Sequence, residues 1–266
     1  MVFRSCWLLL FLVCVCGHGL VAAEPGGGSA AAATLWEQGQ AAMRDGQAAR
    51  AIGLYEQSLA ADPACTRNHM SLAAAYLESG QDEKACVHLA RYVEAHPEHF
   101  AIRTHYAELL LRLRRVPEGC AEFERFIADL QEQPEDDRHA LIHCHSRLME
   151  IGEALEDDYA VHLHRGIGLY LLARERAVTE EPEGDLPTEG LLCKAAGELS
   201  VARSLRPGEA RPCWYLYAVW SRLGQQHPAR RCLREAGAAA PFTYLTPAEQ
   251  RSLQLAAACG LASVHR

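Results

Sequence analysis

The residues best suited to chemistry gather in one stretch, His139, His143, Cys144 and His145, followed by His162 and His164. His139 and His143 are four apart and would share one helix face, the spacing at which two imidazoles can ligate a transition metal or haem iron. Cys144 and His145 would point to other faces, and the chain has no HExxH, no paired CxxC and no CxxCH. An imidazole in a helix is also an ordinary polar packing group. A metal- or haem-handling protein using His139 and His143, with His162 or His164 as further donors, is therefore the alternative and not the principal reading. Catalytic signatures are lacking: there is no GxGxxG, no phosphate loop ending Gly-Lys-Ser/Thr, and no Gly-x-Ser-x-Gly elbow. The acidic pairs Asp136-Asp137 and Asp157-Asp158 fall at expected helix boundaries, where carboxylates cap helix starts. No local pattern nominates one cysteine as a nucleophile. The chain is expected to be a non-enzyme with no cofactor.

The elements that would position such residues follow from composition. The 266 residues are 49% hydrophobic, ample for a packed core, and alanine runs such as Ala73-Ala74-Ala75 favour closely packed helices. A formal net charge of -8 without a clustered basic face gives no sign of a nucleic-acid partner. The best basic cluster, Arg112-Leu113-Arg114-Arg115, closes an expected helix, where cations oppose the negative end of the dipole.

Residues 1 to 23 read as a secretory signal: Arg4 supplies the positive start, Trp7 to Val15 is apolar, and Val21-Ala22-Ala23 offers small residues for cleavage before Glu24. The apolar run is short for a bilayer span, so any membrane association would come through an uncleaved signal segment. Residues 24–33 would form a flexible leader, and the product is expected to be exported: periplasmic, envelope-associated or secreted. Eight cysteines would remain, an even number that raises the disulfide question in an exported chain. Most fall inside expected helices where a small apolar residue would pack equally well, so they read as buried thiols, with pairing left open.

Self-similarity organises the whole. At a period of 34 residues Gly46 recurs as Gly80, Ala51 as Ala85, Pro63 as Pro97, Ala73 as Ala107 and Pro207 as Pro241. The first unit runs through Leu35, Gln38, Gly39 and Ala42, then Ala51, Tyr55 and Pro63. The second has Leu72, Ala73 and Tyr76, then Ala85, Leu89 and Pro97; the third has Tyr106, Ala107 and Leu110, then Gly119 and Phe123. This pattern resembles the tetratricopeptide repeat family, whose unit is a pair of antiparallel helices. Leu216, Trp220, Gly224, Ala229, Leu233 and Pro241 return to it further on.

The fold class expected is all-α, an α-α superhelix (solenoid) of stacked antiparallel hairpins with a C-terminal capping helix. Three repeats would occupy 34–131, an irregular helical region with an acidic loop 132–187, further repeat-like helices 188–241, and the capping helix 242–266. In the irregular region, 136–155 reads as an extra helix, with Tyr159 to Ala177 pairing onto the helix from Thr188. Thr246, Pro247 and Glu249 announce the last helix with a capping box.

The resemblance implies a protein-interaction scaffold, because the first helix of each pair lines a groove suited to a peptide or helix. Its lining would include Trp36, Gln40 and Met43 from the first unit, then Arg67, Met70, Ala74 and Leu77 from the second. Thr104, Glu108 and Leu111 would follow, and Arg211 and Trp214 would extend it near the far end. Some members hold the carboxylate end of chaperone tails with Lys, Asn and Arg residues. Here Trp36, Ser71, Ala101 and His105 stand in such places, so that partner is not expected.

Overall fold

The computed structural model describes residues 30–133, 137–179 and 187–262. The proposed signal, most of the leader and residues 180–186 of the acidic loop lie outside the described residues. Among the described residues the chain is all-α, with twelve helices and no strand. They are α1 (Ala30–Arg44), α2 (Ala48–Ala61), α3 (Thr66–Glu78), α4 (Asp82–Ala95), α5 (Phe100–Arg112), α6 (Val116–Glu132), α7 (Arg138–Ala154), α8 (Asp158–Thr179), α9 (Thr188–Leu205), α10 (Ala210–Arg222), α11 (Gln226–Ala239) and α12 (Pro247–Ala262). None of these is long and apolar enough to cross a membrane. The chain divides into two compact units between Gly119 and Cys120, inside α6.

One turn recurs through both units. Gly46, Gly80, Arg114, Glu156 and Gly224 all adopt left-handed backbone, with φ between 57° and 75°. The first three stand 34 residues apart. In each case the next residue donates its backbone N–H five residues back, as Gln47 to Ala42 at 2.8 Å, Gln81 to Tyr76 at 2.8 Å and Arg115 to Leu110 at 2.9 Å. Asp157 to Gly152 at 2.9 Å and Gln225 to Trp220 at 2.9 Å complete the set. This is the Schellman ending, which satisfies orphan carbonyls of the first helix while reversing the chain into the second. The second helices stop differently. After α2, α4, α9 and α11, proline stands at 63, 97, 207 and 241, within two residues of the helix end and unable to continue its hydrogen bonding.

The turn at Glu156 revises the reading of the middle of the chain. Residues 138–154 form the first helix of a hairpin with α8, and α8 packs against α9 on its other side. Two glycines allow these approaches. A Cβ on Gly152 would lie 3.1 Å from the Ala160 Cβ, and one on Gly166 would lie 2.7 Å from the Leu199 Cγ.

In the first unit the crossing within the α1–α2 hairpin is tighter still, because a Cβ on Gly39 would fall 2.5 Å from the Tyr55 ring. Tyr55, Leu72, Ala73, Ala75, Ala85 and Leu89 form the centre of one buried cluster drawn from α1 to α5. α3 packs on both α2 and α4, so this core is continuous from hairpin to hairpin. In the second unit, Leu253 of α12 packs with Cys213 of α10 and Ala236 of α11. The expected capping box forms there: Glu249 N–H donates to Thr246 Oγ1 at 3.2 Å and Thr246 N–H to Glu249 Oε2 at 2.9 Å. The eight cysteines among the described residues are free thiols.

Two substitutions of opposite sign test this account of the hairpins. Gly39→Val should cost about 1–3 kcal/mol through overpacking against Tyr55. Arg114→Gly should gain roughly 0.5 kcal/mol, because glycine relieves a left-handed residue at some cost in unfolded-chain entropy. Urea unfolding of each variant reads both, and a Gly39→Val protein as stable as the parent would contradict the crossing.

Candidate functional site

The first helices α1, α3 and α5 present a face that the core leaves partly open. Buried positions on them, Gly39, Ala42, Leu72, Ala73, Tyr76, Ala107 and Leu110, face the hairpin interior. Beside these, Trp36, Gln40, Met43, Met70, Ala74, Leu77, Thr104, Glu108 and Leu111 are all half-buried, and Arg67 is exposed. The helical period accounts for this split, since residues three and four apart align on one face while their neighbours turn away.

α1 and α3 are joined on that face by a mixed contact. The Trp36 indole N–H donates to Ser71 Oγ at 2.9 Å, and the Arg67 guanidinium lies over the Trp36 ring at 4.0 Å. Cation and π-face attract, and the arrangement holds the ring edge-bound and half in solvent. Met43, Met70 and Leu77 pack at the margin of the core, keeping flexible apolar surface beside the ring. Leu111 is committed to packing, its Cδ2 lying 2.8 Å from where a Gly119 Cβ would stand.

Arg211 is not a groove residue. The residue is only 4% exposed, inside the second unit. Nη1 donates to both Glu124 oxygens at 2.9 Å, and Nε donates to Glu249 Oε1 at 3.1 Å. Tyr215 donates to the same Glu249 oxygen at 2.8 Å. Burial opposes the guanidinium's charge, and Glu249 and Glu124 outweigh it, so Arg211 is held firmly protonated. Glu249 thus caps α12 while tying it to α10, and Arg211 brings in α6 through Glu124. Trp214 is half-buried against the neighbouring cluster of Cys213, Ala236 and Leu253, with its ring 5.4 Å from that of Tyr217.

The histidine-rich helix separates rather than converges. The His139 side chain is 88% exposed and meets the Glu175 carboxylate at 2.8 Å; His143 is exposed. His162 Nδ1 lies 2.6 Å from Glu198. Among the described residues, no group of three or more ligand atoms within 4.8 Å of one another includes His139 or His143. What the spacing did not reveal is a buried pair across the α7–α8 hairpin. His145 Nδ1 and His164 Nδ1 lie 2.9 Å apart, and His145 Nε2 is buried without a hydrogen-bond partner. Only an apolar flank on both helices at 19-residue separation could have signalled it.

Four of the thiols are poorly suited to nucleophilic chemistry. Burial pushes the Cys86, Cys120 and Cys232 thiols up, and burial followed by Glu235 pushes Cys213 up to about 12. Such sulfurs stay protonated at neutral pH and are poor nucleophiles.

Against known proteins, residues 42–98 match the tetratricopeptide repeat family. The paired helices, the repeated turn and the small crossing residues agree with that repeat over the matched stretch. Solved structures that align with this chain include PilW, a widely conserved type IV pilus biogenesis factor, at 18% identity and a TM-score of 0.36, over 85% of this chain and 99% of that one. YrrB, a tetratricopeptide-repeat protein with an unusual peptide-binding site, aligns at 14% identity and 0.34, over 84% and 92%. MamA from Desulfovibrio magneticus RS-1 aligns at 13% identity and 0.34, over 80% and 97%. No curated protein sequence matches this chain.

The buried histidine pair has a consequence for pH. Burial first, then His164 and Arg211, hold His145 well below the usual imidazole range, while burial and then Arg211 push His164 down to about 3. The unfolded chain takes up these protons near pH 6.5 and the folded chain does not, so stability is complete above pH 6.5 and falls on acidification. Each histidine contributes a slope of about 1.4 kcal/mol per pH unit in that window. A His145→Leu/His164→Leu variant should show a flatter loss of urea stability between pH 6.5 and 4; an unchanged slope would contradict the pair's burial as neutral imidazoles.

Proposed function

We propose that this chain is an exported scaffold that docks a peptide or an extended segment of another protein on the first-helix face of residues 30–112. It acts by holding its partner, not by catalysis. The supporting observation is the run of half-buried side chains on α1 and α3: Trp36 clamped between Ser71 and Arg67, with Met43, Met70, Ala74 and Leu77 beside it. An aromatic anchor, adaptable methionines and an arginine in one patch are the residue types that carry binding energy in protein interfaces. Gln40, Thr104 and Glu108 supply polar groups for a partner's backbone, while Leu111 serves the packing behind it. Trp214 lies in the second unit, half-buried beside Cys213, Ala236 and Leu253. Export rests on the pattern of residues 1–23, which places the scaffold in an envelope compartment or outside the cell.

The test is affinity capture from the native envelope with the intact chain and a Met70→Glu/Leu77→Glu variant. Recovery of a defined partner should fall at least tenfold in the variant while its helical content is retained. Equal recovery by both proteins would contradict the proposed face.

A further inference from the structure

The turn between α4 and α5 reads His96-Pro97-Glu98-His99, and it brings together three groups that no part of the scaffold function uses. We infer that His96, Glu98 and His99 bind a divalent transition-metal ion of the zinc class, with two imidazole nitrogens and one carboxylate oxygen as ligands.

The distances suit such an ion. His96 Nδ1 lies 3.3 Å and His99 Nε2 3.6 Å from the same Glu98 oxygen, and the ligand atoms of all three residues lie within 4.8 Å of one another. Four ligands arranged tetrahedrally about zinc at 2.0–2.1 Å stand about 3.3 Å from each other, so the set needs only a small closure. Pro97 fixes the backbone between the two histidines. The rings stack 5.0 Å apart at 9°, which aims both near nitrogens toward the carboxylate.

The far nitrogens carry the stronger argument. His96 Nε2 sits 2.7 Å from Thr66 Oγ1 at the start of α3, and His99 Nδ1 sits 2.7 Å from the hydroxyl of Tyr92 on α4, a residue that is itself buried. A metal-bound imidazole characteristically donates its second N–H to an oxygen, which fixes the ring and its tautomer. Both histidines have that partner in place. With Thr66 and Tyr92 accepting those protons, His96 Nδ1, His99 Nε2 and Glu98 turn three lone-pair atoms toward one point, an arrangement that suits a bound cation. Hydroxyls also donate. In the metal-free protein Thr66 and Tyr92 can therefore reverse their hydrogen bonds, so that the imidazoles donate to Glu98 instead.

One Glu98 oxygen, Oε1, faces both near nitrogens and is the shared oxygen ligand of the set. Helix ends contribute opposing fields here, α4 ending and α5 beginning at the turn, and leave the side chains to decide the affinity. Glu98 and His99 are open to solvent, so an ion has direct entry and a fourth position for water or an outside donor. Imidazole with carboxylate favours zinc, copper or nickel over calcium or magnesium.

The test is calorimetric titration of the tag-free chain with zinc chloride, paired with the visible spectrum of its cobalt(II) form. One ion per chain should bind, with a tetrahedral cobalt spectrum. Affinity should fall more than tenfold in His96→Ala, His99→Ala and Glu98→Gln. Thr66→Val, which touches no metal, should weaken binding by roughly tenfold through loss of the outer hydrogen bond. Unfolding midpoints measured in chelator separate lost ligands from lost fold. No saturable binding, binding unchanged by His96→Ala and His99→Ala, or a histidine titration that responds to pH but not to zinc would overturn the site.

Discussion

The structure depends on how closely two helix axes can approach at the crossing inside each hairpin. Where Gly39 faces Tyr55 within a hairpin, and where Gly166 faces Leu199 between α8 and α9, a single added carbon would collide with its neighbour; at Gly152, inside the α7–α8 hairpin, it would press on Ala160 at 3.1 Å. Close crossing lets one large side chain fill the gap and seals the apolar face between paired helices. A hairpin sealed on one side still leaves its other face open, so the next hairpin is needed to cover it. The uninterrupted cluster from α1 to α5 is the outcome in the first unit.

That constraint also shapes what the molecule can offer a partner. Because the second helices and the inner sides of the first helices are spent on packing, side chains such as Trp36, Met70 and Leu77 are left half-covered on the first-helix face. In the second unit the same architecture encloses polar groups. Arg211 with Glu124, Glu249 and Tyr215, and His145 with His164, are hydrogen-bonded within a low-dielectric interior where an unmatched charge would be costly. Breaking one member of such a network leaves its partners buried and unpaired, so its value lies in specifying one arrangement of α6, α10 and α12.

The repeat was legible because steric requirements leave letters behind. A glycine at 46 and 80, a small residue at 39, 73 and 107, and a proline at 63 and 97 are each demanded by local geometry. The same demand at Arg114 left no such letter, since a non-glycine residue occupies the left-handed position. At Glu156 the turn into Tyr159 was expected, but with no glycine to mark a repeat turn 136–155 was read as an extra helix and not as the partner of the helix that follows. Arg211 was misplaced for a different reason: a charged residue reads as surface, and its partners Glu124 and Glu249 are 87 and 38 residues distant. The metal reading settled on His139 and His143 through helical spacing, whereas the better ligand set spans a turn at Pro97, where residues three apart converge without a helix. There the signal was a carboxylate between two histidines, and the proline had been taken only as a helix stop.

Hydrogen exchange on an Ala73→Leu variant tests the central claim most directly, since Ala73 is fully buried in α3 between two neighbouring hairpin helices. The account predicts that amides of α2 and α4 lose protection together with those of α3. Exchange that quickens in α3 alone, with α2 and α4 as protected as before, would contradict a core shared from hairpin to hairpin.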